Sequence, residues 1–214
     1  MSAGDLKGTW TFTATSIVAT NTTTLATGVN TVAIGDLVVV VCGEQTNLTC
    51  TAARDTLGNT YSAVNAGTDG TTITGRCFYT RVTTAGANTN IFVDATESAD
   101  NVAIVAASFQ GPFSVSPLDA QPANNNNTDN TSPFTCPATG TLSQAIELVI
   151  AWMTVQSNAT WLATAPNLKA NQAVSASVAD TIIGYQAVTS TSTISPEFTG
   201  TNPSASVQGT ASFK

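Results

Sequence analysis

The chain has 214 residues, 9% of them charged and 42% apolar, with six basic against thirteen acidic side chains and no histidine. That is apolar enough to form a core, which excludes wholesale disorder. A net charge of −7 excludes a typical nucleic-acid binder, and the missing histidine excludes a Ser-His-Asp triad or a histidine-ligated zinc.

Taken in chain order, the start Met1-Ser2-Ala3-Gly4-Asp5-Leu6 is polar and lacks the basic-then-apolar layout of a secretion signal. No apolar run reaches the roughly 18 residues of a membrane span. The expected compartment is therefore a cytoplasm, until release. Thr9-Trp10-Thr11-Phe12-Thr13 alternates polar and aromatic residues and predicts a half-buried strand. Leu37–Cys42 is a continuous apolar run after Gly35-Asp36 and predicts a central strand covered on both faces. Asp55-Thr56-Leu57-Gly58-Asn59-Thr60-Tyr61 reads as a turn leading into a strand, with Asp55 and, earlier, Asp36 capping backbone N–H groups. Further strands are expected at 76–83, 90–95 and 102–109. No segment sustains a helical apolar stripe over three turns.

The second half repeats this order. Leu148–Met153 echoes Leu37–Cys42, Tyr185–Ser190 corresponds to Tyr79–Thr84, Glu197-Phe198-Thr199 to Ile91-Phe92-Val93, and Ala211-Ser212-Phe213-Lys214 to Ala107-Ser108-Phe109-Gln110. The expected architecture is all-β: one antiparallel, jelly-roll-like β-sandwich over 1–214, built from two related halves at about 25–110 and 137–214. A long polar surface loop, 111–136, is expected to join them. Within it 122–135, together with a Thr-rich arm at 21–27, is expected to order only on contact with a partner.

Four cysteines, Cys42, Cys50, Cys77 and Cys136, are spaced too widely for a CxxC element. In a reducing cytoplasm they are expected to be free thiols, mostly buried, with a disulfide as the alternative. Asp94, Glu97 and Asp100 lie in one loop and form a candidate calcium site; the competing reading is a solvated hairpin tip. Arg54 stands beside Asp55, a possible surface ion pair. Trp161 and Tyr61 are candidates for stacking on sugar rings, against the alternative that they pack in the core or its rim. No nucleophile has a partner base and no glycine-rich phosphate loop is present, so neither enzymatic activity nor a cofactor is expected.

Gly35-Asp36-Leu37-Val38-Val39-Val40, then Asp55-x-x-Gly58-Asn59-Thr60-Tyr61, then Phe78-Tyr79 before a Thr-rich turn, resembles β-sandwich domains of tailed-bacteriophage virion proteins. Ser116–Ala120 and Ala211–Lys214 resemble the strand ends of the same family. The resemblance implies a jelly-roll-like or Ig-like fold, a structural or adhesive role, and no catalytic residue. The expectation is a capsid decoration (cement) protein on the particle exterior, assembled in the host cytoplasm. Its partners would be the major capsid protein or another virion protein and further copies of itself, without nucleic acid or membrane. The alternative is a glycan-binding or adhesion module, such as a tail or fibre receptor-binding domain.

Overall fold

The computed structural model describes residues 4–14, 23–24, 31–45, 50–70, 72–87, 90–95, 101–123, 125, 128, 130–156, 161–164, 166, 168–173 and 180–214. Strands in the N-terminal half are β1 (Leu6–Ala14), β2 (Thr23–Thr24), β3 (Leu37–Gln45), β4 (Cys50–Asp55), β5 (Ser62–Ala63), β6 (Gly67–Thr68), β7 (Ile73–Arg81), β8 (Ile91–Ala95) and β9 (Asn101–Phe109). The C-terminal half carries β10 (Leu118–Ala120), β11 (Phe134–Thr135), β12 (Glu147–Val155), β13 (Leu162–Ala163), β14 (Leu168–Ala173), β15 (Asp180–Val188), β16 (Glu197–Thr199) and β17 (Ser206–Phe213). The protein is all-β, and no helix occurs among the described residues.

Two large antiparallel sheets run β1-β9-β3-β7-β5, with β6 also on β7, and β10-β17-β12-β15-β14. Two small sheets run β2-β8-β4 and β11-β16-β13. Element by element, the strand order of one large sheet recurs in the other, and so does that of the small sheets. β3 and β12 each lie at the centre of their sheet, which is why both are continuous apolar runs: every side chain meets protein on both faces. Period-two alternation then sorts them. Leu37, Val39 and Val41 share a central core with Phe109, Leu148, Ile150, Trp152 and Phe213, between the two large sheets. Val38, Val40 and Cys42 face the other way and pack with Cys50, Ala53, Ile91 and Val93 of the first small sheet. Ala151, Met153 and Val155 likewise pack with Phe134, Trp161 and Phe198 around the second small sheet. The molecule is thus layered, small sheet on large sheet on large sheet on small sheet.

Where the large sheets approach most closely, side chains shrink. A Cβ at Gly43 would collide with Thr154 and Thr181, whose hydroxyls are 3.3 Å apart. Within the second large sheet, a Cβ at Gly209 would enter the ring of Trp152, its cross-strand partner on β12.

The joining segment departs from the expected free polar loop. It supplies strands β10 and β11, and it buries Phe113, Asn125, Phe134 and Cys136. Asn125 explains how a polar residue can anchor it. Its Oδ1 accepts the Thr210 N–H at 3.1 Å and its Nδ2 donates to the Asn65 carbonyl, so burial leaves neither end of the amide unsatisfied. Of the Thr-rich arm, Thr23 and Thr24 pair with β8; its other residues lie outside the described ones.

Candidate functional site

Two carboxylates organise the turns, as their positions in the sequence predicted. Asp36 Oδ2 accepts the Ala33 N–H at 2.8 Å and the Lys7 ammonium, while Oδ1 accepts the Gly111 N–H at 2.9 Å, tying three segments at one end of the large sheets. Asp55 Oδ1 accepts the N–H groups of Leu57 and Asn59, both at 3.0 Å. Gly58 takes the positive φ of +78° that this turn requires.

Of the sequence-derived ligand candidates, Asp94, Trp161 and Tyr61 are among the described residues. Asp94 is committed to a forked ion pair with Arg54, at 3.1 and 3.0 Å. Arg54 therefore turns to Asp94 across the small sheet and not to its chain neighbour Asp55. Glu97 and Asp100 lie outside the described residues. Trp161 is fully buried, edge-on to Phe134 with ring centroids 5.3 Å apart, so its faces are taken by core contacts. Tyr61 is half-buried, and its hydroxyl donates to Asp55 Oδ2 at 3.2 Å. Burial, and then the Asp55 carboxylate, hold that hydroxyl well above the usual tyrosine range. Trp161 and Tyr61 therefore sit in different clusters and share no exposed face.

The cysteines correct the expectation of four free thiols. Cys42, late in β3, and Cys50, at the start of β4, form a disulfide with Cα atoms 6.6 Å apart. Chain spacing alone could not show that the two strands stack one above the other. Cys77 and Cys136 are free and buried, and burial pushes both thiols far up, leaving them unreactive.

Beside the disulfide lies a buried carboxyl that sequence reasoning missed. Glu44 is 1% exposed; its Oε1 accepts the Cys50 N–H, and its Oε2 has no hydrogen-bond partner among the described residues. Burial raises its pKa from 4.5 to about 7, against the lowering effects of the Cys50 N–H and the Arg76 charge. Arg76 donates to the Cys50 carbonyl at 2.8 Å. Cys42, Glu44 and Cys50 would converge as metal ligands. With both sulfurs joined to each other, however, no thiolate is offered, so the disulfide-bonded chain does not hold a metal there.

Two surface features remain. At the end where β3 and β12 begin, Ile34, Val115 and Ile146 are 66, 87 and 76% exposed. Pro112 and Phe113 lie among them; Phe113 N–H donates to the Gly35 carbonyl, and Pro112, Phe113 and Ile146 line one shallow groove. A second groove, of about 380 Å³, opens between β5 and β7 on one side and residues 115–118 on the other. Its wall is rich in hydroxyls and carries Tyr79 and Arg81. No family model, no curated protein and no solved structure matches this chain.

Proposed function

We propose that the chain is a structural protein of a bacteriophage particle, a decoration protein that seats in many copies on the capsid exterior and performs no catalysis. The observation that carries this reading is the apolar end formed by Ile34, Val115 and Ile146. Large apolar side chains gathered at one end of a molecule mark a surface that a partner covers. The charges point the same way. Three of the six basic residues are engaged inside the chain, in the pairs Lys7–Asp36, Arg54–Asp94 and Lys214–Asp119, so little cationic surface is left for electrostatic attachment. Attachment through apolar contact, multiplied over many copies, suits a symmetric shell. Cosedimentation with phage capsids that lack the protein tests this. The wild-type chain should pellet with the capsids, and the double variant Ile34→Asp, Ile146→Asp should stay in the supernatant. Equal pelleting of the two proteins would remove the apolar end from the account.

The alternative, a glycan-binding or adhesion module, is favoured by a different observation: the hydroxyl-lined groove beside Tyr79 and Arg81. It does not use Trp161, whose burial closes that route.

A further inference from the structure

We infer that the groove between β5, β7 and residues 115–118 is a binding site for an acidic saccharide, a sugar carrying a carboxylate. The inference rests on the glycan-binding reading.

Arg81 carries the argument. Its Nε donates to the Phe113 carbonyl at 2.8 Å, which fixes the plane of the guanidinium at the groove wall and leaves its terminal nitrogens for another acceptor. It takes part in no ion pair among the described residues, whereas Lys7, Arg54 and Lys214 all do. The chain has thirteen acidic residues, yet among the described residues no aspartate or glutamate lines this groove. One fixed cation without a counter-charge, inside an acidic protein, selects for an anion. A planar guanidinium fork matches a carboxylate in particular.

The remaining wall matches a polyol. Thr60, Ser62, Thr83 and Ser116 place hydroxyls around the same space. Thr83 already donates its proton to Asn59 Oδ1 at 3.0 Å, so its oxygen is left as an acceptor for a sugar O–H. The Tyr79 hydroxyl is bonded to Ser62, and Val115, Pro117 and Leu118 add an apolar side for the C–H face of a ring. The volume lies within the range of small-molecule sites.

The other half of the molecule shows that the fold does not demand this arginine. Tyr79-Thr80-Arg81-Val82-Thr83 corresponds to Tyr185-Gln186-Ala187-Val188-Thr189, so alanine stands at the matching strand end. Ala187 lines the shallow apolar groove instead.

Titration calorimetry of the full chain with tetragalacturonate, and with a neutral galactose tetramer of equal length, tests the inference. The acidic probe should bind at least about tenfold more tightly, and Arg81→Gln should abolish that preference. Ser116→Trp, a change at an exposed position that fills the groove, should abolish binding without touching the Arg81–Phe113 bond. It therefore covers the case in which Arg81→Gln perturbs folding. Equal affinity for the two probes would overturn the acidic specificity while leaving a glycan site. Unchanged binding in Ser116→Trp would place the sugar elsewhere. Binding of neither probe would overturn the glycan-binding reading together with the inference.

Discussion

The two small sheets cover equivalent faces of the two large sheets, yet they are held down by different chemistry. Over β3, the residues at the contact are Cys42, Glu44, Cys50 and, on the neighbouring strand, Arg76. Over β12 the corresponding positions are Met153, Val155, Trp161 and Ile182. Met153 and Trp161 have the same separation along the chain as Cys42 and Cys50, and both pairs sit inside the cluster between their small and large sheets. The C-terminal half fills that layer with aromatics, Trp161, Phe134 and Phe198. The N-terminal half carries Ile91, Val93, Ala53 and Cys50 on its small sheet, and there a covalent bond joins the layers. The difference teaches that the frame tolerates an all-apolar contact here. The buried carboxyl of Glu44 is therefore not a requirement of the fold; it makes the N-terminal layer sensitive to pH and the C-terminal layer insensitive at the same place.

The comparison can be broken most severely by removing a strand. β17 lies between β10 and β12, and all its residues are buried. Deleting residues 207–214 should unfold the chain, seen as loss of the cooperative melting transition. A truncated protein that melts at the wild-type temperature would show that the second large sheet stands without its inner strand.

Next in size is the aromatic lid. Trp161→Ala should cost about 3–5 kcal/mol in urea unfolding, the range for truncating a buried aromatic residue. A loss below about 1 kcal/mol would mean that Trp161 does not hold the C-terminal small sheet in place.

Glu44→Gln sharpens the polar side of the comparison. Glu44 titrates near its ordinary value of 4.5 in the unfolded chain and at about 7 in the folded one. Its contribution is therefore fully present below about pH 4.5 and is lost as pH rises through 7. The loss amounts to about 3 kcal/mol when integrated over that window. Wild-type stability should fall between pH 5 and pH 8, and the Glu44→Gln variant should lack that part of the slope. Parallel pH profiles for the two proteins would show that Glu44 is not buried in its neutral form.

The smallest effect is that of the staple. Cys50→Ala opens a loop whose ends are 8 residues apart, worth about 2–3 kcal/mol in the chain-entropy account. The free energy of urea unfolding should drop by that amount, less than for Trp161→Ala. The reverse ranking would mean that the covalent bond, and not aromatic packing, is the stronger of the two devices.

The strands were legible because their signals are local. Leu37–Cys42 and Leu148–Met153 are unbroken apolar runs, and the Asp55–Tyr61 turn carries its own capping carboxylate and a glycine at positive φ. What escaped the sequence depends on layers meeting. Cys42 and Cys50 lie on strands of different sheets, so their pairing is visible only once the sheets stack. Trp161 follows a polar stretch, which left both a surface and a core position open, and the two-residue strand after it sets its ring edge-on to Phe134. Asn125 sits in an asparagine-rich run that reads as solvated, yet its amide satisfies backbone groups of β17 and of residue 65. Glu44 follows an apolar run and could be read as the end of a strand reaching water. It is buried because β4 closes over it.

The central claim is attachment to a particle through apolar contact, and a salt wash of purified particles tests it most directly. At about 1 M salt the Debye length is roughly 3 Å, so contacts held by charge are released while apolar ones persist. Mass spectrometry of the washed particles should find the protein still bound at its original ratio to the major capsid protein. Release of the protein from otherwise intact particles, or its absence from the particles before washing, would contradict the account.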